Sequence, residues 1–472
     1  MNRNIRRLAS VFTLAFLALV AYLTYWQVIA ADELAASMPY NAPRVQAAEE
    51  RVVRGTIFDR HGERLAWTEQ TPEGQRRLYA DPSLVHVVGY HSYRYGVANI
   101  EREFDGYLRA EKGLDPLTML RKEFFHQPVA GADVVTTIDL DLQRAADKAL
   151  GDWPGAIVAL DPRTGEILAL ASRPHFDPGR IDELWSQIAN DPRSPLVNRV
   201  TAGQYPPGST FKTVTLATAL DAGVANRDTS FTNKGDLVVD GFHIKYTNPP
   251  DRPTFNLRDA YAFSVNAAFA EIGLKLGPER LSQGAARFGF GEAPPLVGIP
   301  VAASHLFLTP GSLSGRTALA TTAFGQGQLS VTPLQMGLVA SAVANGGVEP
   351  APYVVSQVKD KQGRVLYENG PRPWKQAMSA DAARLIAEMM VYSVEAGFAQ
   401  PARIAGVSVA GKTGTAEVGG SAEPHAWFIG FAPADNPSIA VAVIRENAGQ
   451  GSAQATPQGR QVIQAWLSEQ QR

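Results

Sequence analysis

Three hydrophobic textures follow one another along the chain. The first is a run of 24 residues without a charge, Leu8 to Ala31, behind Arg3, Arg6 and Arg7. At about 1.5 Å rise per residue such a helix spans roughly 36 Å, enough for a hydrocarbon core near 30 Å. Tyr22, Tyr25 and Trp26 sit toward its far end, where an aromatic belt belongs, and the arginines hold residues 1–7 in the cytoplasm. Val28-Ile29-Ala30 loosely resembles a signal-peptide cleavage site, but the apolar run is longer than a typical h-region, so 8–31 is expected to stay as an anchor. The rest of the chain is then extracytoplasmic, where ATP and nicotinamide chemistry are not expected.

The second texture is β-like. Glu49 to Ala66 reads as two short strands around the turn Asp59-Arg60-His61-Gly62, with Gly62 supplying a positive φ. Ala156–Ala159 and Glu166–Ala171 are apolar runs joined by the turn Asp161-Pro162-Arg163-Thr164-Gly165, and Val407–Ala410, Ala426–Phe431 and Ile439–Ile444 predict three further strands. The third texture is helical. Asp139 is an N-cap before Leu142, Ala145, Ala146 and Leu150, and Phe211, Val214, Ala217 and Leu220 form a stripe behind Pro206-Pro207-Gly208. Helices are also expected over 257–263, 267–276 and 461–472, and from Thr332-Pro333-Leu334-Gln335, a capping-box arrangement. Strands at both ends with helices between predict one α/β unit closed by distant segments. Residues 32–135 read as a small α+β module without convergent reactive groups, and 136–472 as the chemical domain.

Composition narrows the chemistry. The 472 residues carry 44 Lys+Arg against 46 Asp+Glu, so no nucleic-acid partner is indicated, and 45% hydrophobic residues is ordinary for a folded, non-polytopic chain. The cysteine count is zero, which removes thiol nucleophiles, disulfides and cysteine-ligated metals. The eight histidines contain no H-E-x-x-H. Any nucleophile is Ser, Thr, Lys or a carboxylate.

A serine hydroxyl is a weak nucleophile and needs a base within hydrogen-bond reach. Gly208-Ser209-Thr210-Phe211-Lys212 offers one, since Ser209 and Lys212 are i, i+3 on a helix; Lys212 must be neutral, which burial favours. With 24 Ser and 11 Lys in the chain, chance alone supplies roughly half a Ser-x-x-Lys. A second copy, Ser356-Gln357-Val358-Lys359, lies in an alternating stretch that reads as a strand, where i and i+3 point to opposite faces, so Ser356 is structural. Ser264-Val265-Asn266 offers a hydroxyl and an amide that could relay protons, although such a tripeptide is more often a helix cap. Gly406 to Thr413 fits the P-loop pattern letter for letter, but β residues fill the four intervening positions and Gly414-Thr415-Ala416-Glu417-Val418-Gly419-Gly420 starts no helix. Lys412-Thr413-Gly414-Thr415 is instead an edge strand that follows Val407–Ala410. Its Gly414 lets an extended peptide approach, and Lys412, Thr413 and Thr415 offer donors to a carboxylate.

Ser-x-x-Lys, Ser-x-Asn and Lys-Thr-Gly in that order resemble the penicillin-recognising serine transferases, and the wider match resembles their class B penicillin-binding proteins. Similar to that class are Arg54-Gly55-x-Ile57-x-Asp59-Arg60-x-Gly62-x-x-Leu65-Ala66, Thr137-Ile138-Asp139-x-x-Leu142-Gln143, Asn198-Arg199 with Tyr205-x-Pro207, and Gly325-Gln326-Gly327-x-x-x-Val331-Thr332-Pro333-Leu334-Gln335. The resemblance implies a penicillin-binding transpeptidase fold, an antiparallel sheet flanked by helices, on a small α+β pedestal with one transmembrane helix. It implies a serine-type D-Ala-D-Ala transpeptidase of the bacterial inner membrane that cross-links peptidoglycan stem peptides during cell-wall synthesis, in elongation, division or sporulation, and is acylated by β-lactams. By position, Ser209 is the nucleophile, Lys212 the base, Ser264 and Asn266 the relay. Lys412, Thr413 and Thr415 hold the terminal carboxylate, and the N–H groups of Ser209 and Thr415 form the oxyanion hole. No metal or organic cofactor is implied. A SEDS-type polytopic glycosyltransferase is the implied partner, contacted by anchor and pedestal, although the 32–135 module is short for class B. Two rivals are a serine β-lactamase, for which Glu271-Ile272-Gly273-Leu274-Lys275 is the nearest deacylation element but lacks its Asn, and a non-enzymatic β-lactam sensor.

Overall fold

A computed structural model describes residues 2–26, 52–72, 74–113, 129–246, 252–307, 313 and 315–470. Helix α1 (Asn2–Thr24) begins ahead of the charge-free run, so Arg3, Arg6 and Arg7 lie on its first turns. Among the described residues it is the one helix long and apolar enough to cross a membrane. The rest of the expected anchor, with Val28-Ile29-Ala30 and the strand start at Glu49 to Arg51, falls outside the described residues.

Along the chain follow β1 (Ile57–Phe58), β2 (Arg64–Thr71), β3 (Gly74–Tyr79), β4 (Asp133–Thr136), α2 (Leu140–Leu150), β5 (Gly155–Leu160) and β6 (Ile167–Arg173). Then come α3 (Lys212–Asp221), α4 (Leu257–Ala262), α5 (Asn266–Arg287), α6 (Pro333–Ala344), β7 (Val355–Lys359), β8 (Val365–Glu368) and α7 (Ala380–Glu395). The last are β9 (Ala410–Ala416), β10 (His425–Ala432), β11 (Ile439–Arg445) and α8 (Thr456–Glu469).

The strands sort into two main sheets. The N-terminal one has order β8-β7-β4-β1-β2-β3, with β1 and β4 parallel and the other pairs antiparallel. It takes β7 and β8 from far beyond residue 135, so the small module and the chemical domain share a sheet. The second, wholly antiparallel, has order β6-β5-β11-β10-β9. Pairing of Val158 with Ala442 closes it through the expected distant segments.

Period-two patterning decides what each face of this second sheet meets. Ala156, Val158 and Leu160 share a core with α6, whose residues from Pro333 to Val343 are all buried. Ile157, Ala159, Val441 and Val443 join Leu142, Ala146 and Leu150 of α2 and Val462, Ile463 and Trp466 of α8 on the other face. Each Val, Leu or Ile among them that is fully removed from water contributes about 1.5–3 kcal/mol before chain entropy is counted. The N-caps hold as read, with Asp139 Oδ1 accepting from Leu142 N at 2.9 Å and Thr332 Oγ1 from Gln335 N at 3.1 Å, but the capping box is half made, because Thr332 N donates to Ser304 Oγ and Gln335 turns its side chain to Phe288 O.

Two expectations shift. The strand placed at Val407–Ala410 starts only at Ala410; Ile404 and Val407 close a tight turn instead, and the Lys-Thr-Gly residues lie inside β9 rather than after it. The terminal helix starts at Thr456, with Pro457 in its first turn, because Pro needs no intrahelical donor there.

Candidate active site

Ser209 stands on a 3-10 turn, Gly208–Phe211, that feeds directly into α3. Two prolines precede it, and Gly208 takes φ 54, a left-handed value that glycine adopts without penalty. The turn is clamped from behind. Trp427 Nε1 donates to Pro206 O at 3.0 Å, and Thr210 Oγ1 donates to Pro207 O at 2.7 Å. Tyr205 pairs with Val331 through the backbone and donates its hydroxyl to Glu446 at 2.6 Å, while Arg199 Nε holds the same carboxylate oxygen at 2.7 Å.

The helix brings Lys212 Nζ to 2.9 Å from Ser209 Oγ. Ser264, between α4 and α5, has φ 57, sparsely populated for a residue with a Cβ. That conformation turns both its oxygens on Lys212 Nζ, the carbonyl at 2.8 Å and the hydroxyl at 3.0 Å; Asn266 Oδ1 lies 2.6 Å from the same nitrogen. A neutral amine has two N–H bonds and one lone pair. The Ser264 carbonyl and the Asn266 amide oxygen accept the two protons, which leaves the lone pair for the hydroxyls of Ser209 and Ser264.

Lys412 Nζ also reaches Ser264 Oγ, at 2.9 Å, and donates to Thr413 O at 3.0 Å. Both lysines are fully buried. Among the described residues neither has a carboxylate within ion-pair distance. Burial pushes the Lys212 ammonium well below the usual lysine value, and the charge of Lys412 pushes it further; burial brings Lys412 down to about 7. Two ammonium groups on one hydroxyl repel, so Lys212 is the one held neutral and Lys412 carries what charge the site retains.

Ser209, Ser264, Asn266, Thr413 and Thr415 line an open cavity of about 230 Å³. Lys412 stays behind that wall, so the two threonines rather than the ammonium present donors to a ligand. Gly414 has another duty than the one read from sequence: a Cβ there would come within 2.9 Å of Trp427 Cβ and 3.0 Å of Pro207 O, so the glycine lets the serine turn close on β9. Thr415 is tied on both sides, its carbonyl taking Gln326 Nε2 at 3.4 Å and its hydroxyl Gly451 N at 3.3 Å.

Sequence reasoning missed the remaining walls, Phe324, Gln326, Phe398, Glu417, Gln450 and Ser452. Gln326 stood inside the Gly-Gln-Gly run, which was a signal; nothing local marks Phe398 or Gln450. The decoys resolve as read. Ser356 Oγ donates to Val135 O at 3.1 Å within the N-terminal sheet, and β9 continues past Thr413 where a phosphate loop needs a helix. Glu271 takes the hydroxyl of Tyr246 and does not line the cavity.

Comparison with known proteins agrees with this geometry. The family described as the penicillin binding protein transpeptidase domain matches residues 155–464. The peptidoglycan D,D-transpeptidase PbpA of Mycolicibacterium smegmatis is 36% identical over 99% of this chain and 100% of its own length. The stage V sporulation protein D of Bacillus subtilis is 33% identical over 77% of this chain and 58% of its own. Among solved structures, a ceftriaxone acyl-enzyme complex of penicillin-binding protein A from M. tuberculosis superposes with a TM-score of 0.82 at 34% identity, covering 88% of this chain and 99% of that one.

Proposed function

The chain belongs to the penicillin-binding transpeptidases, and we propose that its cavity cross-links peptidoglycan through an acyl-enzyme on Ser209. It is a serine-type D,D-transpeptidase of cell-wall synthesis that β-lactams acylate. The observation that carries the residue assignment is the 2.9 Å approach of Lys212 Nζ to Ser209 Oγ, with the amine's two protons accepted elsewhere.

As Ser209 Oγ bonds to the carbonyl carbon of the penultimate D-alanine, its proton passes to the Lys212 lone pair. The developing oxyanion takes the backbone N–H groups of Ser209 and Thr415. Ser264, in reach of both lysines, hands its proton to the departing D-alanine amine as the peptide C–N bond breaks, and takes in its place the proton that Lys212 received from Ser209. Thr413 and Thr415 hold the terminal carboxylate, with the Lys412 charge behind them. An acceptor amine of a neighbouring stem peptide then attacks the ester, and its proton passes through the same Ser264 and Lys212 relay to Ser209 Oγ as the ester C–O bond breaks.

Residues 1–7 stay in the cytoplasm, 8–31 anchors the chain in the inner membrane, and 136–472 works outside. Anchor and the 32–135 pedestal together contact a SEDS-type glycosyltransferase. No metal or organic cofactor enters the acyl transfer.

Labelled penicillin should modify Ser209 alone, read by mass spectrometry of the digested adduct. Labelling that survives Ser209→Ala, or that falls on Ser356, overturns the assignment. The adduct should persist for many minutes; rapid drug turnover would favour a β-lactamase instead.

A further inference from the structure

Away from the cavity, three segments distant in sequence meet where the N-terminal sheet abuts the back of the catalytic sheet. His61 lies in the turn between β1 and β2, Asp139 caps α2, and Glu469 ends α8. Nε2 of His61 is 3.2 Å from Oδ2 of Asp139 and 3.7 Å from Oε1 of Glu469, and the three donor atoms all lie within 4.8 Å of one another. A tetrahedral zinc ion with bonds near 2.0–2.1 Å sets its ligand atoms about 3.3–3.4 Å apart. We propose that His61, Asp139 and Glu469 form a zinc site that ties the C-terminal helix to the N-terminal turn.

The donors are set in place by the fold. Asp139 is 1% exposed, and its Oδ1 is committed to Leu142 N, so Oδ2 faces the other two ligands. The turn that carries His61 is braced by Asp59 Oδ1, which accepts from the N–H groups of His61 and Glu63 at 2.8 Å each. Arg60 N donates to Ile138 O at 2.9 Å, next to Asp139. A buried carboxylate beside a second carboxylate is the contact that calls for a cation or a proton between them.

The surroundings suit the ion. All three residues line a cavity of about 650 Å³, which leaves room for a water as fourth ligand, and Asp59, Glu63 and Asp141 line it too. Of the two arginines there, Arg144 pairs with Asp81 and Asp141, and Arg64 lies over the Trp67 ring. An imidazole among the donors favours zinc over magnesium or calcium. The missing H-E-x-x-H excludes a hydrolytic centre on one helix and leaves untouched a site assembled from three elements.

The full-length protein, stripped with a chelator, should take up one zinc per chain in competition with a chromophoric zinc indicator. His61→Ala and Glu469→Gln should each weaken uptake at least tenfold, and His243→Ala, which removes a different histidine–aspartate pair, should leave it unchanged. Zinc should raise the thermal midpoint of the parent protein and of His243→Ala, but not of His61→Ala, while excess magnesium and calcium fail to compete. His61 is more than half exposed, so its substitution should not disturb folding. Absence of uptake by the parent, or equal uptake by His61→Ala, overturns the site.

Discussion

In the N-terminal region, Arg54 and Arg77 share the fully buried carboxylate of Glu101, each at 2.7 Å, and Arg54 adds Asp105 at 2.6 Å. In the active site, Lys212 and Lys412 are as deeply buried but share only a hydroxyl. Burial disfavours the charge in both places. Around Glu101 the two guanidiniums outweigh burial and hold its carboxyl down at about 2, so the ionised form is locked. Around the lysines nothing outweighs it, so a basic amine is left poised to take a proton. The same cost of burying charge thus makes a brace where it is compensated and a reagent where it is not.

Removing the reagent tests the contrast hardest. Lys212→Met should lower the rate of penicillin acylation by about 10²–10⁴-fold, measured by stopped flow, while leaving the fold intact. Undoing the brace should do the reverse. Glu101→Gln leaves the Arg77 guanidinium facing a neutral amide and Arg54 with Asp105 alone, and should cost about 3–5 kcal/mol in denaturant unfolding, with the acylation rate of the folded fraction unchanged.

The pH responses should run in opposite windows. Glu101 has a folded value near 2 against an ordinary 4.5, so its stabilisation is complete above 4.5 and lost as pH falls toward 2. Lys412 has a folded value near 7 against 10.5, so the unfolded chain binds more protons between them and stability should rise with pH across that range. Melting curves of the parent against Glu101→Gln and Lys412→Gln separate the two contributions. Lys412→Gln should also move the rise of the acylation rate with pH to higher pH, because it removes the charge that lowers Lys212. The smallest effect expected on the acylation rate is from Trp427→Phe, which loses the bond to Pro206 O together with one ring of a fully buried side chain. A loss of about 1 kcal/mol, near fivefold in acylation rate, would show that the clamp positions Ser209, and an unchanged rate would show that it does not.

What the sequence made legible was local or periodic. The caps at Asp139 and Thr332, the alternation along β5, β10 and β11, and the Ser209–Lys212 spacing all depend on neighbours within a turn or two. What stayed hidden depends on pairing across the chain. The start of β9 was misplaced because Val407 to Val409 are as apolar as the strand itself, and only the partner residues on β10 decide where the ladder begins. Phe398 and Gln450 reach the cavity from loops with no pattern of their own. The convergence of His61, Asp139 and Glu469 needs three elements already folded.

The shared sheet has a consequence in time. Ser356 of β7 donates to Val135 of β4 across a separation of 221 residues. A chain made from its N-terminus therefore releases β4 long before its neighbour exists, and β4 waits with one edge open while most of the catalytic region is synthesised. The N-terminal sheet is completed late, so arrest or truncation before β7 should leave an adhesive strand rather than a finished platform.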